Sequence, residues 1–89
     1  MSLDMLLKLK KAGCHTLIYG VESFSNGILK KMRKYFTAED AIEVLKLTKK
    51  AGIRTLINII VGFPGESEED FMQTYNTIKE NNDYIDMFS

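Results

Sequence analysis

The stretch that decides the fold runs from Arg54 to Asp70 and reads R-T-L-I-N-I-I-V-G-F-P-G-E-S-E-E-D. Its first half is almost continuously apolar and rich in β-branched residues, which is typical of a parallel strand buried on both faces. The glycines and the proline of G-F-P-G (62–65) then favour a tight turn. Ser67 and Asp70 resemble a capping box, although the residue three positions after the N-cap is usually Glu or Gln. They predict the start of a helix.

Asn58 interrupts the apolar run of this predicted strand. A buried amide costs about 1–3 kcal/mol unless it is hydrogen-bonded. The sequence therefore predicts that Asn58 bonds either to the backbone or to a ligand.

A short motif occurs twice, as K-K-A-G-C-H-T-L-I (10–18) and K-K-A-G-I-R-T-L-I (49–57), and Gly13 and Gly52 are 39 positions apart. Each copy predicts a helix that ends on two lysines, leaves through a left-handed glycine and is followed by a strand. A helical repeat protein is the alternative, but the apolar runs favour strands and a β/α unit.

The coarse pattern alternates helices with strands. Each predicted strand is joined to the next by a connection long enough to contain a helix. Connections of this length imply an α/β fold with a parallel sheet and right-handed crossovers, either in a barrel or in a doubly wound sheet. A chain of 89 residues is short for a complete domain of either kind, so we interpret it as a fragment, and residues 1–3 as a possible remnant of expression cloning.

We predict helices over 4–12, 26–33, 38–51 and 68–80, and strands over 15–21, 54–61 and from 84 to 88.

The composition sets limits on the class of protein. Lysine plus arginine and aspartate plus glutamate number 12 each, so no basic excess favours nucleic acid and no acidic tail indicates disorder. The single cysteine cannot form an internal disulfide, and no apolar stretch has the length of a transmembrane helix or the pattern of a signal peptide. We therefore expect a cytoplasmic protein that does not enter membranes, and nucleic acid is not an indicated partner.

Several short motifs in a fixed order carry a family resemblance. They are G-V-E-S (20–23), Leu29 with Lys34, Asn58, G-F-P-G-E (62–66) and E-D-F (69–71). From about residue 12 to residue 88 the chain resembles the core of radical S-adenosylmethionine (radical SAM) enzymes. It is most similar to the branch of cobalamin-dependent enzymes, methylthiotransferases and oxygen-independent coproporphyrinogen oxidase, and within it to the anaerobic magnesium-protoporphyrin IX monomethyl ester cyclase-like group.

The resemblance implies a fold and an activity. The fold would be a fragment of a (β/α)6 partial TIM barrel, in which residues 1–89 supply about strands four to six as a βαβαβ unit. The activity would be reductive cleavage of S-adenosylmethionine (SAM) by a [4Fe–4S] cluster, which gives a 5′-deoxyadenosyl radical that abstracts hydrogen from a substrate. The partner of this chain would be the rest of its own radical SAM domain.

The cluster of such enzymes is normally coordinated by the three cysteines of a C-x-x-x-C-x-x-C loop. This chain contains one cysteine, Cys14. We interpret Cys14 as a small core-facing thiol and His15 as no metal ligand. The [4Fe–4S] cluster is thus expected in the full-length protein only, a cobalamin in a further domain is possible for this branch, and the isolated chain is expected to be inactive.

The resemblance implies four SAM-contacting positions. Glu22 occupies the Gly-Val-Gln/Glu-Ser position that reaches SAM in similar enzymes, and a carboxylate at the carboxyl end of a barrel strand can accept hydrogen bonds from ribose hydroxyls or pair with an ammonium. Capping of the following turn is its alternative role. Lys34 matches a basic position that meets the SAM carboxylate, and the neighbouring Arg33 is the alternative residue for this role. Asn58 matches a position that contacts the ribose. Gly62 begins a turn that either approaches adenine or shapes the barrel rim.

Other features have simpler interpretations. Glu66 is expected as an acid in the first turn of a helix. The basic cluster at 30–34 is interpreted as a solvated helix face rather than a phosphate or RNA site. A second class of function stays open, namely a non-catalytic interaction domain or a degenerate barrel fragment that self-associates. In either case three parallel strands leave two open edges, so we expect the isolated chain to self-associate.

Overall fold

The computed structural model describes residues 2–88 and has the predicted alternation of helices and strands. All three strands are parallel and lie in the order β1-β2-β3. A single 3-10 turn, Asn82–Tyr84, precedes the last strand. The elements are α1 (Leu3–Lys11), β1 (Thr16–Glu22), α2 (Asn26–Lys31), α3 (Ala38–Lys50), β2 (Arg54–Ile59), α4 (Glu68–Glu80) and β3 (Met87–Phe88).

The repeated Lys-Lys-Ala-Gly motif forms the same helix end twice. Gly13 has a φ of 106°, its amide donates to Lys10, and the Cys14 amide donates to Leu9 at 2.9 Å. The same pair of hydrogen bonds closes α3 around Gly52, whose φ is 81°. Both copies are therefore Schellman motifs, which explains how a short local signal predicts two helix-to-strand transitions.

β1 is shifted by one residue from the predicted 15–21, and the larger differences from the prediction lie at the end of β2 and the start of β3. β2 ends at Ile59 rather than at Val61, because β1 ends at Glu22 and the last bond between the two strands runs from the Ile60 amide to the Glu22 carbonyl, at 2.8 Å. β3 begins at Met87 rather than at residue 84, because the 3-10 turn occupies the preceding residues.

The main core lies on one face of the sheet. Ile57, in the central strand, is fully buried, and Tyr19 from the middle of β1 and Ile59 from the end of β2 pack against the same cluster. A smaller cluster of Leu6, Ala51 and Ile53 lies beneath α1. The buried members of the main cluster are Val21, Phe24, Leu29, Ala38, Ala41, Leu45, Ile57 and Ile85.

The opposite face of the sheet is open among the described residues, so the prediction of a strand buried on both faces is wrong for this chain alone. Along β2 the buried Thr55 and Ile57 alternate with the exposed Arg54 and Asn58. On β1 the side chain of Ile18 is 64% exposed. The long apolar run indicates a strand with apolar side chains on both faces, but the described residues of this chain bury only one face of the sheet.

No helix within residues 2–88 is both long enough and apolar enough to cross a membrane.

Candidate functional site

The carboxyl ends of β1 and β2 meet at one edge of the sheet and carry the predicted site residues. Glu22 stands opposite Ile59 in the register, with an irregularity between Tyr19 and Glu22. In parallel α/β sheets, ligands bind outside this edge. The structure therefore places Glu22 and Asn58 on adjacent strands at the edge where a ligand is expected.

Glu22 has an unusual backbone conformation. Its φ is 70°, and the Ser23 amide donates to the Val21 carbonyl at 2.9 Å, so Glu22 occupies the centre of a three-residue γ-turn. A left-handed residue other than glycine costs about 1–3 kcal/mol and persists only where its surroundings fix it. Such residues are concentrated at ligand sites, which makes this turn a candidate for function.

The Glu22 carboxylate forms an ion pair with Lys34, and the same ammonium donates to the Gly20 carbonyl at 3.3 Å. The two side chains retain 26% and 25% of their accessibility. Glu22 does not cap the following turn, whose amides find other acceptors in Ser23 and Thr74. The ion pair is thus partly shielded yet reachable from the sheet edge.

Lys34 reaches Glu22 because of the way in which α2 ends. Arg33 takes a left-handed φ of 60° after the helix, its amide donates to Lys30, and the Lys34 amide donates to Leu29. This is a third Schellman motif, with arginine where glycine is usual. Arg33 is exposed, and Lys34 is the member of the predicted pair that meets Glu22.

Asn58 is exposed, so the prediction of a buried amide is wrong. The reason is the alternation of the strand, because Ile57 enters the core and Asn58 therefore points to the uncovered face. Its side chain has no hydrogen-bond partner among residues 2–88, and the amide remains available to a ligand.

The backbone conformation and the hydrogen bond of Gly62 indicate a structural role for the turn after β2. Its φ is 82°, nothing lies within 4 Å of the position that a Cβ atom would occupy, and its amide donates to the Glu66 carboxylate at 2.8 Å. The Glu66 amide donates to Phe63, and Gly65 has a φ of 89°, which fits a type II turn. Glu66 is therefore not a first-turn acid of α4, because it precedes the N-cap residue Ser67 and closes this turn instead.

A buried polar network that sequence reasoning missed lies beneath the γ-turn. Ser23 and Ser25 are fully buried, and the Ser23 and Thr74 hydroxyls are 3.2 Å apart. The Phe24 amide donates to Thr74 at 2.9 Å, and the Ser25 hydroxyl donates to Asp70 at 2.7 Å. A single sequence gives no signal for this network, because Ser23 and Thr74 lie 51 positions apart.

Two carboxylates have lowered pKa values, Asp70 beneath the γ-turn and Asp86 at the opposite end of the sheet, beside the start of β2. The Ser67 amide, followed by the Ser25 hydroxyl, holds the pKa of Asp70 below its usual range, and a hydrogen bond from the Thr55 amide does the same to the pKa of Asp86. A carboxylate whose pKa is depressed in the folded state stabilises the fold above its unfolded pKa of about 3.9. This contribution disappears as the pH falls through the folded pKa.

We expect Asp70→Asn to flatten the dependence of the unfolding free energy on pH between about pH 5 and pH 2. Urea unfolding followed by circular dichroism at several pH values measures this slope. Asp83→Asn removes one charge at an exposed site and serves as the control. Equal slopes for the wild type and Asp70→Asn would contradict the role assigned to the Asp70 carboxylate.

An apolar cavity of about 260 Å³ lies beside the outer edge of β1. Its walls are mainly the side chains of Tyr19, Val21, Phe36 and Val44, with Asp40 as the single charged residue. A zwitterionic ligand needs groups of both signs, so the strand ends suit it better than this cavity does.

The donor set at the strand ends fits SAM. The carboxylate of Glu22 can accept from ribose hydroxyls or an ammonium, Lys34 can meet a carboxylate, and Asn58 offers both a donor and an acceptor. The described residues do not fit an iron–sulfur cluster. They contain no group of three or more potential metal ligands, and Cys14 lies at the opposite end of β1, where its thiol donates to Thr16 and packs beside the α1 cluster as predicted.

Comparison with known proteins finds a family that the sequence of this chain matches. A family profile described as "Radical SAM superfamily" matches residues 1–78. Threonylcarbamoyladenosine tRNA methylthiotransferase MtaB of Bacillus subtilis is 50% identical over 62 residues, which cover 67% of this chain and 14% of the relative. The tRNA-2-methylthio-N(6)-dimethylallyladenosine synthase of Clostridium tetani is 37% identical over 81 residues, which cover 86% of this chain and 18% of the relative.

A solved structure shares the fold. The radical S-adenosylmethionine methyltransferase TsrM from Kitasatospora setae, with tryptophan substrate and a SAM analog bound, matches with a TM-score of 0.79 at 23% identity. The match covers 92% of this chain and 16% of that protein. This chain thus spans less than a fifth of the length of each of these three proteins.

Proposed function

The chain belongs to the radical SAM superfamily, and we propose that residues 1–89 form part of the SAM-binding wall of a larger enzyme that cleaves SAM reductively. The observation that carries the proposal is the Glu22–Lys34 ion pair beside the exposed Asn58, where the carboxyl ends of β1 and β2 meet. In this family, SAM and a [4Fe–4S] cluster supply the chemistry, and the protein supplies binding and orientation.

Each predicted residue has a role that its chemistry allows. The Glu22 carboxylate accepts hydrogen bonds from the ribose or the ammonium of SAM, and Lys34 meets its carboxylate. Asn58 bonds to the ribose from the adjacent strand. The turn at Gly62 shapes the rim through its own backbone and its bond to Glu66. The apo ion pair keeps the two charges compensated until a zwitterionic ligand exchanges partners with them.

The relatives support a choice of branch. Two relatives are named as a threonylcarbamoyladenosine tRNA methylthiotransferase and a tRNA-2-methylthio-N(6)-dimethylallyladenosine synthase. We therefore propose a group-transfer enzyme of this branch. Its location would be cytoplasmic, a setting in which a single free thiol stays reduced, and the cluster loop and any cobalamin site would lie outside residues 1–89.

The test uses the full-length protein that contains this chain, reconstituted anaerobically with iron and sulfide. The assay measures 5′-deoxyadenosine formed from SAM under dithionite, for the wild type, Glu22→Ala and Asn58→Ala. We expect product from the wild type and a sharp fall in both variants at unchanged cluster content, with Glu43→Ala on the exposed face of α3 as control. A wild type with an intact cluster and no product would contradict the proposed activity.

We further propose that residues 1–89 self-associate when produced alone. Ile18 and Val61 are 64% and 66% exposed, and β1 has a free edge in the described sheet. Small-angle scattering should show oligomers that grow with concentration, and Ile18→Lys should shift them toward the monomer. A compact wild-type monomer at high concentration would contradict this prediction.

A further inference from the structure

We propose that Thr74 and Asp70 of α4 are positioning residues that hold Glu22 in its SAM-binding conformation. The inference rests on the proposed function of Glu22 and adds to it residues that lie about 50 positions away in the sequence.

The backbone after Glu22 is fixed at each step. The Ser23 amide donates to Val21 at 2.9 Å, the Phe24 amide to the Thr74 hydroxyl at 2.9 Å, and the Ser25 amide to the Ser23 hydroxyl at 3.0 Å. Three consecutive amides thus have defined acceptors. A γ-turn with positive φ survives only when its surroundings determine it in this way.

Thr74 is the link between the turn and α4. It is 5% exposed, its hydroxyl accepts from the Phe24 amide, and it lies 3.2 Å from the hydroxyl of Ser23. Removal of this hydroxyl leaves the buried Phe24 amide without its acceptor, and the turn then loses the bond that anchors it to the helix.

Asp70 holds the other end of the same network. One of its oxygens accepts from the Ser25 hydroxyl at 2.7 Å, and the other accepts from the Ser67 amide and hydroxyl at the start of α4. Ser25 also caps α2 by accepting from the Ile28 amide at 3.4 Å. One carboxylate therefore ties the start of α4 to the start of α2, and α2 carries Lys34 just beyond its end.

The variants separate positioning from general stability. Thr74→Val keeps the shape and removes the hydroxyl, Thr74→Ser keeps the hydroxyl, and Thr77→Val removes the exposed hydroxyl that donates to the Gln73 carbonyl on the same helix. SAM affinity of the full-length protein is measured by titration calorimetry. We expect Thr74→Val to weaken binding about fivefold to tenfold, with Thr74→Ser and Thr77→Val within about twofold of the wild type.

The decisive readout is the double variant. If Thr74 acts through Glu22, Thr74→Val should cause no further loss in a Glu22→Ala background. An additive loss would overturn the proposal, and so would a Thr74→Val protein with lowered thermal stability and unchanged SAM affinity. If Thr74→Val does not fold, Ser23→Ala, which removes the acceptor of the Ser25 amide and the contact with Thr74, replaces it with the same expected pattern.

The controls also distinguish two kinds of failure. Unchanged affinity in Glu22→Ala would overturn the proposed function of Glu22 itself. A clear loss in Glu22→Ala together with no loss in Thr74→Val would leave that function standing and overturn the positioning role.

Discussion

Glu22→Ala is expected to weaken SAM binding by the full-length protein roughly tenfold to a hundredfold, since a hydrogen bond to a charged group contributes about 1.5–3 kcal/mol. The carboxylate is the negative member of the ion pair at the strand ends and retains 26% of its accessibility. Its loss also leaves Lys34 without its carboxylate partner. Titration calorimetry with the reconstituted protein measures the change.

Two further variants isolate the charge. Glu22→Gln retains the size of the side chain and the left-handed backbone, so its loss of affinity reports on the negative charge and on the acceptor oxygen that the amide lacks. Glu43→Ala removes an exposed glutamate from α3 and should bind SAM as the wild type does. If Glu22→Ala and Glu43→Ala bound SAM equally well, Glu22 would not be a ligand.

Ile57→Ala is expected to lower the free energy of unfolding by about 2–5 kcal/mol. Ile57 is fully buried in the central strand and belongs to the main core cluster, together with Leu29 from α2 and Leu45 from α3. The shorter side chain leaves a cavity that the strand, bonded on both sides, cannot close. Chemical unfolding of the chain followed by circular dichroism gives the difference.

Met5→Ala is the matched control for this experiment. Met5 is 55% exposed on α1, and alanine is a good helix former, so the change should stay within about 0.5 kcal/mol. A similar loss in both variants would mean that Ile57 is not in a packed core.

Local signals predicted much of the fold. The Lys-Lys-Ala-Gly repeat gives two Schellman motifs because its capping bonds join residues only a few positions apart. The capping box at Ser67 was predicted correctly for the same reason, and the structure shows both of its reciprocal hydrogen bonds. These contacts depend on residue types within one turn of helix, which a single sequence displays directly.

Contacts between distant residues could not be predicted. The network of Ser23 with Thr74 joins positions 51 apart, and no periodicity marks a hydroxyl that accepts from a buried amide. The exposure of Asn58 was also predicted wrongly. An apolar strand indicates that its faces are buried, but it does not show which residues bury them. The left-handed Glu22 and Arg33 were missed because positive φ is usual for glycine and uncommon for either residue.

The most direct test of the central claim is the distance between the Glu22 carboxylate and bound SAM in a crystal structure of the full-length protein, prepared anaerobically with its cluster and SAM. We predict a carboxylate oxygen about 2.5–3.2 Å from a ribose hydroxyl or the ammonium of SAM, with Asn58 and Lys34 lining the same site. SAM bound elsewhere, with Glu22 still paired only to Lys34, would contradict it.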